Sequence, residues 1–118
     1  MQGDLAHQLE MNRVTWAELQ KQGVTEDTEL RFDFFYVAPG QHQAEALAQA
    51  IRSRTDYDVE AGSSKEGLLG KRVWTVNGTT QPTPVSLEAL DEWVTRMVEW
   101  GNAHSCEFDG WGAGIPNA

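Results

Sequence analysis

An α+β fold, in which helices cover one face of an antiparallel sheet, is predicted by three observations. Apolar and polar residues alternate over 29–38, apolar residues recur at helical spacing over 41–54, and the same spacing returns after Ser86. Behind a first helix, the segments then follow one another as strand, helix, strand, strand, helix, strand.

The first helix is expected from Asp4 to about Gln22. Leu5, Leu9, Trp16 and Leu19 fall near one stripe, Asp4 is suited to the N-cap, and Gly23 supplies the stop. Asn12 stands inside that stripe, so the helix is expected to pack at the edge of the domain. Glu29 to Ala38 is the clearest strand, with Leu30, Phe32, Phe34 and Tyr36 on one side. Phe35 and Val37 make its second half apolar on both sides, which suits a central strand covered on one face and partly on the other.

Gln41 to Arg54 is expected as a helix, with Ala44, Leu47, Ala48 and Ile51 at the i, i+3, i+4, i+7 spacing. A short strand at Tyr57 to Ala61, a polar loop from Gly62 to Gly70 and a strand from Lys71 to Val76 follow. Asn77-Gly78 is a strong turn signal, and Thr79 to Val85 is a linker with two prolines. Ser86 is placed to cap the best helix, whose Leu87, Leu90, Val94, Met97 and Gly101 share a face. Asn102 to Ser105 turns the chain into a last strand from Cys106 to about Trp111.

This order is the split βαβ arrangement of ferredoxin-like folds, βαββαβ, with two helices on one face of an antiparallel sheet and an N-terminal helix before it. At 118 residues, one domain over 1–118 is expected, with the helix in 1–23 and the sheet core in 28–112.

Eighteen acids against nine bases give a net charge of −9. Residues 1–60 hold eleven acids and five bases (−6), 61–85 one and three (+2), and 86–118 six and one (−5). Such a balance opposes nucleic-acid binding, where Lys and Arg contacts to phosphate dominate affinity, and permits a basic protein partner. Cys106 is alone, so a reducing compartment is expected. The start, Met-Gln-Gly-Asp, shows no signal peptide, and no apolar run approaches a membrane span. A cytoplasmic protein is expected.

Chemical motifs are weak. Gly70-Lys71 lacks the Gly five positions earlier and the Ser or Thr that a phosphate-binding loop requires. His104 and Cys106 lie two apart without further ligands, short of a zinc set. The same pair as base and nucleophile is a thin case, and a small buried thiol fits better. Asn77-Gly78-Thr79 matches a glycosylation sequon but reads as a turn. No catalytic, cofactor-binding or metal-binding residue is therefore expected.

The most distinctive stretch is Glu107-Phe108-Asp109-Gly110-Trp111-Gly112, an indole held between glycines that permit angles or close approaches a Cβ would forbid. Its structural reading is a core anchor. Its functional reading makes Asp109 and Trp111 part of a partner-binding surface, since Trp is enriched at interface hot spots.

The chain resembles the RraB family, the bacterial regulators of ribonuclease E activity B. The resemblance runs from the helix ending at Gln22-Gly23 through the aromatic strand after Thr28, the helix leading to Tyr57-Asp58-Val59 and the helix from Ser86. It is most specific at residues 107–112, which look like the family's E-[YF]-D-G-W-G element. The family's better-known members carry an acidic tail after this element, where this chain has Ile115-Pro116-Asn117-Ala118. The resemblance implies a non-enzymatic α+β domain that binds ribonuclease E and reduces its activity, affecting RNA turnover. The alternatives are an acidic interaction module of the same fold with another protein partner, and an enzyme built on Cys106 and His104.

Overall fold

The structure is a computed structural model and describes residues 5–66 and 71–113. It contains α1 (Leu5–Lys21), β1 (Glu29–Leu30), β2 (Phe32–Ala38), α2 (Gln41–Arg54), β3 (Asp58–Glu66), β4 (Lys71–Thr79), β5 (Thr83–Pro84), α3 (Leu87–Ala103) and β6 (Glu107–Ala113). Four strands form one antiparallel sheet in the order β3-β4-β2-β6, and β1 pairs with β5 in a small second sheet. This is the expected ferredoxin-like topology: each helix carries the chain past one intervening strand. The expected N-cap Asp4 and the residues after Ala113 lie outside the described residues.

The strict alternation of β2 puts Phe32, Phe34, Tyr36 and Ala38 into the core and Asp33, Phe35 and Val37 outside. Against the inner row pack Ala44, Leu47, Ala48 and Ile51 of α2 and Leu90, Trp93, Val94 and Met97 of α3. Tyr36, fully buried, donates its hydroxyl to the Met97 carbonyl at 2.7 Å. Ser86 caps α3 as expected, its hydroxyl accepting from the Ala89 amide at 3.1 Å.

α1 and α3 end in the same way. Past α1 the Val24 amide reaches the Leu19 carbonyl and Gly23 takes φ 95°. Past α3 the Cys106 amide reaches the Gly101 carbonyl, and Ser105 takes φ 61°. In both, a residue in the left-handed region turns the chain so that the last helical carbonyls are satisfied. α1 then packs along α3.

Three sequence expectations are corrected. Asn77-Gly78 is not a turn: both residues lie inside β4, paired on both sides, with Gly78 opposite Phe34 and Val59. A Cβ on Gly78 would lie 2.3 Å from the Phe34 ring and 2.6 Å from the Asp58 carbonyl oxygen, so the glycine serves close packing. The polar stretch from Gly62 does not leave the sheet, because β3 continues to Glu66 in register with Lys71; residues 67–70 lie outside the described residues. The 29–38 strand is split at Arg31, and part of the expected linker forms β5. Thr80, buried, fastens the junction: its amide donates to the Phe32 carbonyl and its hydroxyl accepts from the Phe32 amide.

Candidate protein-interaction site

β6 is the strand on which the Asp-Gly-Trp-Gly sequence falls, and its register is broken. Tyr36 faces Phe108, but Phe35 faces Gly110, leaving Asp109 as an extra residue in a β-bulge. Simple alternation would turn Phe108 and Trp111 to opposite faces. The bulge restores both to the helical side: Phe108 packs on Tyr36 with ring centres 5.3 Å apart, and Trp111 on Phe32 at 5.4 Å. Gly110 takes φ 136°, a conformation that L side chains rarely adopt, and it makes this change of phase possible. Gly112 needs no such freedom, since its φ is ordinary and a Cβ there would touch nothing within 4 Å. The expectation of a special role for both glycines holds for Gly110 alone.

Asp109 and Trp111 are therefore not brought together. Asp109 is exposed, whereas Trp111 is half-buried among Phe32 and Trp93. The indole N–H of Trp111 donates to Asn12 Oδ1 at 2.8 Å, and Asn12 Nδ2 donates to Asp91 Oδ1 at 3.0 Å. Asn12 is fully buried. Its place inside an apolar stripe was the one sequence signal of this network, and it named neither partner.

On the other face of the sheet none of the described helices packs, and the register lays out three rows. Asp58, Thr79, Asp33 and Gly112 form the first; Glu60, Asn77, Phe35 and Gly110 the second; Gly62, Thr75, Val37 and Glu107 the third. Phe35 is 43% and Val37 38% exposed. A depression of about 370 Å³ lies against Asp33, Phe35, Asp58, Glu60 and Asn77. Thr79 donates its hydroxyl to Asp33 at 2.8 Å. The exposure of Phe35 separates it from Phe34 and Tyr36, which are buried on the helical face.

Cys106 has the surroundings of a buried structural thiol rather than those of an activated nucleophile. It is 2% exposed, burial pushes its thiol pKa up, and Sγ lies 3.4 Å from the His104 carbonyl and 3.7 Å from that of Gln43. No group of three or more His, Cys, Asp or Glu suited to a metal occurs among the described residues, and no described helix is long and apolar enough to cross a membrane.

A family model described as RraB, regulator of ribonuclease activity B, matches residues 9–113. No curated protein matches the chain.

Proposed function

The chain belongs to the RraB family of regulators of ribonuclease activity, and from that premise we propose a non-enzymatic inhibitor that binds a ribonuclease E-type endoribonuclease. The observation that carries this reading is the span of the match, which takes in both described sheets and reaches from α1 to the last residue of β6. Two features support the finer target. Residues 107–112 follow the family's E-[YF]-D-G-W-G element, and a net charge of −9 suits a target whose business is binding polyanionic RNA through basic surface.

In this reading the protein works in the cytoplasm of a bacterium and lowers RNA turnover by occupying its target. Asp109 offers the partner an exposed carboxylate. Trp111, held by Asn12, fixes the bulge that presents it. Affinity purification from the native host tests the proposal: it should recover a ribonuclease E-type enzyme, and the purified protein should slow that enzyme's cleavage of RNA. Clean recovery of a different partner, with no effect on cleavage, refutes it.

A further inference from the structure

We propose that the open face of the sheet, centred on Phe35, is the docking surface, and that its occupant is an arginine-bearing basic segment of the protein partner. The inference rests on the protein-binding function above and adds to it a surface and a chemistry.

Two independent features select this occupant. The first is charge. The three rows and the bulge that interrupts them carry Asp33, Asp58, Glu60, Glu107 and Asp109, and no Lys or Arg. Adjacent strands lie ~4.8 Å apart, so Asp33 and Asp58, two strands apart, sit within ~10 Å of each other. The described residues of these rows place no cation between them, so a cation brought by a partner is favoured there. The second is the apolar centre. Phe35 and Val37 are large side chains left in water, two residues apart on one strand. A guanidinium satisfies both demands: its plane stacks on the Phe35 ring while its N–H groups reach the flanking carboxylates, and its stem lies along Val37. A second copy of this chain would set carboxylates against carboxylates, and nucleic acid would set phosphates against them.

Two measurements decide the proposal and separate its failure from that of the functional reading. In the first, a Gly-Arg repeat hexapeptide is titrated into the isotope-labelled protein and amide shifts are followed by NMR. Perturbations should concentrate at 33–37, 58–60 and 75–79, and a Gly-Glu repeat peptide should give none. Shifts confined to the helical layer, or the same response to both peptides, overturn the docking surface whatever the physiological target is. In the second, binding to purified ribonuclease E is compared for the double variant Asp58→Lys, Glu60→Lys and for Glu92→Lys, Glu99→Lys, which makes the same charge change on α3. The sheet variant should bind at least tenfold more weakly and the helix variant within twofold of wild type. Equal weakening by both overturns the surface. Absence of wild-type binding overturns the functional reading, while the peptide titration still tests the surface. Circular dichroism confirms that both variants fold, and Phe35→Ala, which changes no charge, should also weaken binding at least tenfold.

Discussion

Replacing Asn12 by alanine tests the central claim about how the C-terminal strand is held. Asn12 is fully enclosed and makes two hydrogen bonds, one from Trp111 and one to Asp91. Its removal leaves the Trp111 N–H without its acceptor in a half-buried position, at about 1–3 kcal/mol. The bond to Asp91 is charge-assisted, but that carboxylate is half-buried and regains water, so it adds only about 1 kcal/mol. The emptied space beside three packed elements adds about 1 kcal/mol more. Together these terms predict a loss of roughly 3–5 kcal/mol. With a urea m-value of ~2 kcal/mol/M for a chain of this size, the midpoint should fall by ~1.5–2.5 M in equilibrium unfolding followed by circular dichroism. A double-mutant cycle with Trp111→Phe, which deletes the N–H and keeps an aromatic ring, should show a coupling of about 1 kcal/mol. Additivity within ~0.3 kcal/mol, or a midpoint shift below ~0.5 M, would refute the network as the fastening of β6.

The remaining predictions concern the backbone and the buried titratable groups. Gly110→Ala, at φ 136°, should cost about 1–3 kcal/mol, whereas Gly112→Ala should cost less than ~0.5 kcal/mol; equal melting temperatures for the two would contradict the bulge geometry. Ser105→Gly should stabilise by ~0.5–1 kcal/mol in thermal unfolding, because it relieves a left-handed residue past α3. Burial raises the Tyr36 pKa far above its ordinary value, so the folded state holds the phenolic proton more tightly than the unfolded chain. The stability this confers is complete below pH ~10 and is lost as pH rises beyond it. Tyr36→Phe should flatten that alkaline slope while costing about 1–2 kcal/mol at neutral pH, where the Met97 carbonyl loses its donor. Cys106 should react with a thiol reagent only as fast as the protein opens, and urea should accelerate the reaction; fast labelling of the native protein would show an accessible thiol.

The sequence shows what short-range periodicity can encode. The span of α2 agrees with its apolar spacing to the residue, and the Ser86 cap stands where its chemistry placed it. Expectations fail where distant contacts override a local signal. Asn77-Gly78 has turn chemistry, yet a ring from β2 lies where a Cβ would go, and the pair stays in the strand. Gly62 and Ser63 have little strand preference, yet they face Thr75 and Trp74 in the ladder and are held by it. The site follows the same logic. Residues 109 and 111, two apart, would share a face in a regular strand, and the bulge in β6 separates them. The apolar outer positions of β2 were visible as Phe35 and Val37. The acids beside them come from β2 itself at Asp33, from β3 two strands away and from β6, and only the pairing of all four strands gathers them into one surface.

The Asn12 amide also sets an order of events during protein synthesis. It joins α1 to residues that follow 79 and 99 positions later. At ~5–20 residues per second, Asn12 is incorporated roughly 5–20 s before the Trp111 codon is read. A helix of this length is only marginally stable alone in water, and its Leu5, Leu9, Trp16 and Leu19 stripe stays uncovered throughout that interval. The nascent chain therefore exposes that apolar stripe until its last strand emerges. A message truncated before that codon yields a chain in which Asn12 lacks its Trp111 donor and β2 lacks the β6 strand beside it, which ties the product's resistance to proteolysis to complete translation.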